Sequence, residues 1–360
     1  MTQEQLILIH GIKAQCPTEL CKASEPDTEY LEIEADPRHA ELIVAELGMG
    51  EAKAVTTPGV KEAEPVDAEA EPITDPAETT AYRGISARGL YLSIDRPEMR
   101  FAVKELARKM AKPTQAGMRS LKRLGRYLRG RPRLVVVYRL QGAAAGERDP
   151  DFLYIPVDSN WADCRETRRS TSGGALVHGR HVLATWSVTQ SIQALSSGEA
   201  EFYAVLRGAV EALGLAATAE EMGFPFRKAP RVGSDSSAAR GTAGRHGIGK
   251  LKHVDLKYLW IQAVLKQGRL GLVKQEGKTN FADLMTKHLA APDMERLLEA
   301  AGGSRIVRDS AHLAEVLGEL LKDEAQRKLM GKAGRKAVEA QKGATARSLR
   351  VLADRCGLSL

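Results

Sequence analysis

Residues Asp151–Ser187 read DFLYIPVDSNWADCRETRRSTSGGALVHGRHVLATWS and contain a strand, an acid, a basic turn and a hairpin in that order. The apolar run Phe152–Val157 predicts a buried strand, and Asp158 follows at the point where such a strand reaches solvent. The turn-rich segment Arg168–Gly174 leads into two further strand-like runs, with Gly179-Arg180 as a tight hairpin turn between them. Asp158 is thus the first candidate for a chemical role, and its partners must come from later in the chain.

The charge of the chain is unevenly distributed. The 360 residues include 53 Lys and Arg against 46 Asp and Glu, a net charge of +7 that is compatible with a nucleic-acid partner. Residues 62–78 hold seven acids and no base, whereas residues 100–139 hold thirteen bases and one acid. The length allows two or three domains.

The sequence also indicates a compartment. Its four cysteines lack zinc-ligand spacing and favour a reducing environment over a disulfide framework. No segment approaches the run of about 18 apolar residues that spans a membrane, and the N-terminus lacks a signal-peptide pattern. We therefore expect an intracellular protein with no membrane partner, without distinguishing cytoplasm from nucleus.

Four acids occupy corresponding positions in the predicted elements. Asp158 and Asp235 follow strands, whereas Glu201 and Asp283 lie in first helical turns, and Glu199 is a competing choice for Glu201. In an α/β fold, strand ends and helix starts meet at one edge of the sheet. Carboxylates gathered there repel each other unless divalent cations neutralise them, and two Mg²⁺ ions suit phosphodiester hydrolysis. Any one acid alone is more often a helix cap or an exposed charge, so the interpretation depends on the whole set.

The same region resembles the ribonuclease H domain at the end of copia-type retrotransposon polyproteins. The matching phrases cover about residues 150–290 and are VDSNWAD (Val157–Asp163), RRSTSGG (Arg168–Gly174), ATWSVTQSIQALSSGEAEFYAV (Ala184–Val205), VGSDSSAA (Val232–Ala239), KHVDLKYLWI (Lys252–Ile261) and NFADLMTK (Asn280–Lys287). The resemblance implies an α/β, ribonuclease H-like mixed five-stranded sheet flanked by helices, with helical extensions. It implies hydrolysis of the RNA strand of RNA–DNA hybrids by a two-metal mechanism with Mg²⁺ (or Mn²⁺).

The resemblance also assigns the metal-binding catalytic residues. The family's tetrad carries over to Asp158, Glu201, Asp235 and Asp283, and Glu201 is preferred to Glu199 because the apolar residues after it match the family's helix. Asn160 lies where the family usually has a second Asp, and the loop Lys274–Thr279 lacks the histidine that cellular ribonucleases H have near this position.

Basic residues provide candidate phosphate contacts for a hybrid. One group lies on the predicted helix before the sheet, for which a solvated face is an equally good interpretation. The others lie in the basic turn after Asp158 and in the loop before Val254, where His253 is as well explained by packing of the helix start. The nine candidates are Arg119, Lys122, Arg123, Arg126, Arg168, Arg169, Lys250, Lys252 and His253.

We divide the chain into five predicted parts. Residues 1–60 resemble the end of a reverse transcriptase, 61–80 read as an acidic flexible linker, 81–148 as a basic helical connection and 149–292 as the ribonuclease H-like domain. Residues 303–357 form a helical tail that resembles the end of 3-deoxy-D-manno-octulosonic acid transferase. The Tyr-x-Asp-Asp hairpin of polymerases is absent from the sequence, so polymerisation is not expected.

Two other functions remain open at this point. The chain can be an inactive nucleic-acid-binding remnant of a retroelement, or a glycosyltransferase fragment through its tail. The first predicts salt-sensitive hybrid binding without hydrolysis. The second requires a nucleotide-sugar site, for which the sequence offers no motif. The rest of a retroelement polyprotein is a further possible partner.

Overall fold

A computed structural model describes residues 30–61, 71–139, 152–164, 166–179, 181–247, 249 and 252–302. The predicted tail over residues 303–357 lies outside these described residues, as does Lys250. The described strands are β1 (Tyr30–Glu34), β2 (Val135–Arg139), β3 (Leu153–Asn160), β4 (Thr171–His178), β5 (His181–Thr189), β6 (Arg231–Ser234) and β7 (Gly271–Lys274). The described α-helices are α1 (Pro37–Glu46), α2 (Pro76–Leu92), α3 (Arg100–Arg108), α4 (Gln115–Gly130), α5 (Ser197–Glu221), α6 (Ser237–Gly244), α7 (Trp260–Lys266) and α8 (Ala291–Gly302). Four 3₁₀ helices cover Pro97–Met99, Leu256–Leu259, Gly277–Thr279 and Phe281–Met285.

Five strands form one mixed sheet in the order β5–β4–β3–β6–β7. β3, β4 and β5 pair antiparallel, and the tight turn between β4 and β5 contains Gly179 at a φ of 58°. β6 pairs parallel with β3, and β7 pairs parallel with β6. The crossover before β6 contains α5, and the crossover before β7 contains α6 and α7. The expected α/β class, a mixed five-stranded sheet flanked by helices, is confirmed.

One face of the sheet is covered by α5. Every second residue of β3, namely Leu153, Ile155 and Val157, is buried in a core with α5 side chains such as Phe202. Gly208 allows the helix to approach β3 closely, since a Cβ there would lie 2.6 Å from Val157 Cγ1. The packing of α5 fixes where its first turn meets the end of β3.

Helix α5 is also long and apolar enough to cross a bilayer, by length and composition alone. This differs from the expectation drawn from the sequence, where charged residues of α5 interrupt the apolar run. Its buried side chains pack on the sheet, so the core of the domain accounts for its apolar composition.

The other face of the sheet is covered by α1 to α4, which precede it, together with α8, which follows it. Ala175 and Val177 of β4 belong to a core with buried side chains of α1, α2, α3, α4 and α8. Leu176 lies between them in sequence and packs in the core of the opposite face, as the two-residue repeat of a strand requires. The 3₁₀ helix Phe281–Met285 lies in this second core and connects the helices to the sheet edge.

The acidic segment predicted as a linker over residues 61–80 is structured from residue 71 onward. Asp75 caps α2 by accepting hydrogen bonds from the backbone N–H groups of Ala77 and Glu78 at 3.0 and 3.3 Å, and Pro76 occupies the first helical turn. Ile73 is buried in the second core. The linker prediction is therefore wrong for residues 71–80, because acidic composition concealed a capped helix start, and residues 62–70 lie outside the described part.

Candidate functional site

Asp158 lies within β3, two residues before the strand ends at Asn160, and not after the strand at the solvent boundary as the sequence suggested. Its side chain is buried, and Thr286 Oγ1 donates a hydrogen bond to Oδ2. Lys287 Nζ lies 3.8 Å from the same oxygen. Burial raises the pKa of Asp158 to about 7, against the opposing effect of the Lys287 ammonium, and the neighbouring Asp283 and Asp235 raise it further. Asp158 is therefore a carboxylate whose charge is poorly compensated by the protein.

Glu201 reaches Asp158 from the start of α5. Its Oε1 accepts hydrogen bonds from Ser159 N at 3.0 Å and from Ser159 Oγ at 2.9 Å. Its Oε2 is buried and has no hydrogen-bond partner among the described residues. Burial, and secondarily the charge of Asp158, raises the pKa of Glu201 to about 8. One oxygen is thus held in place while the other lacks a partner.

Glu199, the competing acid, has a different environment. Its carboxylate accepts hydrogen bonds from Leu195 N at 3.0 Å and Tyr203 Oη at 2.9 Å. His253 Nε2 lies 2.9 Å from Glu199 Oε2. These contacts brace the start of α5, so His253 packs against α5 and not only at the start of the segment that follows it, where packing was expected. Glu201 instead lies beside Asp158.

Asp235 completes a group of three carboxylates. It directly follows β6 and is exposed, and one ligand atom each from Asp158, Glu201 and Asp235 lie within 4.8 Å of one another. The 3₁₀ helix Gly277–Thr279 approaches the carboxylate of Asp235 closely, since a Cβ on Gly277 would lie 3.1 Å from Asp235 Oδ2. The structure therefore brings together three of the four predicted acids from β3, α5 and the end of β6.

Asp283 lies next to this group, but Lys287 is paired with it. Lys287 Nζ lies 2.9 Å from Asp283 Oδ1, four residues along the chain. Burial raises the pKa of Asp283, and its contacts with Lys287 act in the opposite direction. Lys287 and Thr286 were not among the predicted site residues, although a lysine four residues after an acid was a usable signal.

Asn160 has a structural role in place of the family's usual second Asp. Its Nδ2 donates to the backbone carbonyl of Thr286 at 3.1 Å. Asn280 Nδ2 donates to the carbonyl of Val157 at 3.0 Å. These two amides fasten the segment that carries Asp283 to the end of β3, so Asn160 holds the acids in register.

The predicted phosphate contacts have varied surroundings. Arg123 Nη2 donates to Thr57 Oγ1 at 2.8 Å, and Arg126 Nε donates to the carbonyl of Lys53 at 2.7 Å, so both hold the segment before α2. The remaining candidates among the described residues have exposed side chains, namely Arg119, Lys122, Arg168, Arg169, Lys252 and His253.

The three-carboxylate group fits a divalent cation. All its donors are oxygens, which is the donor set that Mg²⁺ and Mn²⁺ prefer. The partnerless buried Oε2 of Glu201 and the raised pKa values of Asp158 and Glu201 show that the protein leaves negative charge here uncompensated. A divalent cation bound here would supply the compensation.

Comparison with known proteins finds homologues among retroelement polyproteins. No family model matches it. It is 27% identical over 265 residues to the "Retrovirus-related Pol polyprotein from transposon RE1" of Arabidopsis thaliana. The aligned residues are 73% of this chain and 17% of that protein. An RNase H domain of Rv2228c from Mycobacterium tuberculosis is 23% identical, with a TM-score of 0.27, over 37% of this chain and 95% of that one.

One relative matches over most of its own length. An uncharacterized mitochondrial protein of Arabidopsis thaliana is 30% identical over 175 residues, which are 48% of this chain and 68% of that protein. These comparisons do not support the expected likeness of the tail to 3-deoxy-D-manno-octulosonic acid transferase. The chain spans about a sixth of the length of the curated Pol relatives that it matches. The chain thus belongs to the same family as this mitochondrial protein, and its homologues are Pol polyproteins of copia-type transposons.

Proposed function

We propose that this chain is a retroelement ribonuclease H that hydrolyses the RNA strand of RNA–DNA hybrids with the help of Mg²⁺ or Mn²⁺. The observation that carries the proposal is the convergence of Asp158, Glu201 and Asp235, from separate elements, within 4.8 Å. Homology to Pol polyproteins supports the same reaction.

The residues of the chain divide the work of holding the reacting groups. Asp158, Glu201 and Asp235 would hold a divalent cation, and Asp283 extends the group on the side of Lys287. Bound divalent cations would supply activation of the attacking water molecule and stabilisation of the leaving 3′ oxygen. Thr286 and Ser159 orient the carboxylates of Asp158 and Glu201 through hydrogen bonds, which keeps the geometry fixed when the cation replaces their protons.

Substrate recognition falls to exposed residues around this group. Arg168 and Arg169 lie in the turn between β3 and β4, and Lys252 and His253 follow α6. Such side chains contact phosphates and 2′-hydroxyls, so a hybrid is recognised by its shape with little dependence on base sequence. We expect its binding to weaken steeply with added salt.

The test is cleavage of an end-labelled RNA–DNA hybrid by the full chain in Mg²⁺, compared with DNA and RNA duplexes. Asp158→Asn and Asp235→Asn each remove a ligand charge and should abolish cleavage. Asp293→Asn is the matched control, because Asp293 is an exposed acid paired with Arg296 on α8. Unchanged cleavage in both ligand variants overturns the mechanism. Hybrid binding without any cleavage by the unaltered chain points to the alternative, an inactive binding remnant.

A further inference from the structure

Lys287 is the cation that the protein itself contributes to the acid group. Its Nζ lies 2.9 Å from Asp283 Oδ1 and 3.8 Å from Asp158 Oδ2. The backbone N–H of Lys287 also donates to the carbonyl of Asp283 at 3.3 Å, which directs the side chain back along the segment. The ammonium therefore lies between two acids that come from different elements.

The position of Lys287 matters because the four carboxylates can be divided between two cation positions. One ion can be held by Asp158, Glu201 and Asp235, whose ligand atoms already lie within 4.8 Å. A second ion beside it requires Asp283 together with Asp158, which are the two acids that face Lys287. Divalent Mg²⁺ binds oxygen at about 2.0–2.1 Å, so an ion on these oxygens and the Lys287 ammonium compete for the same place.

Lys287 is able to leave this position. Its side chain is 44% exposed, whereas that of Asp158 is 8% exposed. A lysine ammonium is a strongly hydrated point charge on a flexible stem, and partly exposed ion pairs of this kind are weak. Rotation of the stem moves the ammonium into water without disturbing the buried acid, which stays fixed by Thr286.

We infer that the Lys287 ammonium occupies one of two cation positions in this centre, between Asp158 and Asp283, so that the chain binds one divalent ion tightly and a second one only when Lys287 swings out. The inference rests on the proposed function, since it presupposes a divalent cation held by Asp158, Glu201 and Asp235. In this arrangement Lys287 is a positioning residue that sets how many ions the centre holds at a given concentration.

The test is a Mn²⁺ titration of the full chain, with free Mn²⁺ followed by electron paramagnetic resonance. For the unaltered chain we expect one tight ion and one weak ion. Lys287→Met removes the charge that competes for the second position, so the second ion should bind at least about tenfold more tightly. Lys287→Arg keeps the positive charge and should leave the second ion weak.

Lys266→Met is the control, because it removes the same charge from an exposed position at the end of α7. Its titration should match that of the unaltered chain. Two equally tight ions in the unaltered chain, or an unchanged second ion in Lys287→Met, overturn the inference and leave the nuclease proposal standing. A chain that binds no Mn²⁺ at all overturns both.

Discussion

Asp158 combines deep burial with two neighbouring carboxylates within ligand distance. Its pKa of about 7, and that of Glu201 at about 8, lie well above the usual values of 3.8 and 4.5. The ionised forms of both groups therefore destabilise the fold unless a cation is bound. Such conflicts between charge and stability are typical of sites that bind a ligand.

We predict that the cation-free chain loses stability as the pH rises. Because both pKa values are higher in the folded than in the unfolded state, the folded chain binds more protons between about pH 4 and pH 8. The free energy of unfolding contributed by these groups is present at low pH and is lost as the pH rises through about 7 and 8. Melting temperatures in EDTA at a series of pH values measure this loss, and Mg²⁺ should restore stability at the upper end.

Asp158→Asn should reverse this effect. At pH 8 in EDTA the variant lacks the buried charge, so we expect its melting temperature to rise by roughly 2–5 °C. At pH 5, where Asp158 is largely protonated, the difference should shrink. A variant that is equally destabilised at both pH values would show that the carboxylate is structurally required and not strained.

We predict that Glu199 and Glu201 respond differently to amide substitution. Glu201→Gln removes a ligand charge and should weaken Mn²⁺ binding by at least about tenfold. Glu199→Gln disturbs the hydrogen bonds to Leu195 N and Tyr203 Oη and should cost about 1 kcal/mol of stability. Parallel Mn²⁺ titration and urea unfolding separate the two effects, and a loss of Mn²⁺ binding in Glu199→Gln alone would reverse the assignment.

At the residue scale, the sequence indicated the acids but not their neighbours. Asp158, Glu201 and Asp235 followed from element order together with the family resemblance. Thr286 and Lys287 approach Asp158 across more than a hundred residues. Contacts that depend on how the 3₁₀ helix Phe281–Met285 packs on β3 have no local signature in the sequence.

At the element scale, the paired glycines of β4 explain the RRSTSGG phrase. A Cβ on Gly174 would lie 2.2 Å from Trp186 Cζ2 on β5, and one on Gly173 would lie 2.6 Å from Met285 Cβ. Gly174 therefore makes room for an indole ring, while Gly173 admits the segment that carries Asp283. The phrase identifies a place where the strand is pressed on both faces.

We predict that Gly174→Ala destabilises the fold by about 1–3 kcal/mol, because Trp186 has to leave its position. Gly214→Ala on α5 is the control, since a Cβ there meets nothing within 4 Å. A helical Gly→Ala change should stabilise by roughly 0.5–1 kcal/mol. Urea unfolding measures both, and equal effects of the two substitutions would contradict the close approach of Trp186.

Helices and strands with a clear apolar repeat were predictable at this scale. The repeat of Met118, Leu121, Leu124 and Leu128 corresponds to the buried face of α4. The start of α2 was not recognised, because its capping Asp75 lies within an acidic run that suggested a linker. The composition of the twenty-residue segment concealed the helix-start signal that Asp75 and Pro76 carry.

For the whole molecule, the notable feature is that the helices before the sheet and the sheet itself share a core. Tyr82, Leu121 and Leu128 of the helices belong to the same cluster as Val177 of β4. A buried ion pair between Arg96 and Glu98, at 2.8 Å, lies within the helical part. The boundary predicted between residues 148 and 149 remains a prediction, and the shared core crosses it.

We predict that a fragment of residues 149–302 does not fold stably without residues 30–139. Its sheet would expose Ala175, Val177 and the apolar side of the 3₁₀ helix Phe281–Met285 to water. We expect aggregation or loss of near-ultraviolet circular dichroism, whereas a fragment of residues 30–302 should retain the fold. A cooperative, soluble fragment 149–302 would show that the second core is dispensable. The sequence did not reveal that the sheet depends on the preceding helices. An amphipathic helix pattern shows that one face is buried but does not identify the element that packs against it.

The 3₁₀ helix Phe281–Met285 has a consequence for how such a chain can change over generations. Asp283 lies between Ala282 and Leu284, which are both buried. Leu284 packs in the core that the sheet shares with the preceding helices. A deletion within the helices before the sheet would leave every acid encoded but would remove part of the packing that positions Asp283. The candidate site would then be lost through codons that specify none of its side chains, and its maintenance over generations depends on the helices as well as on the acids.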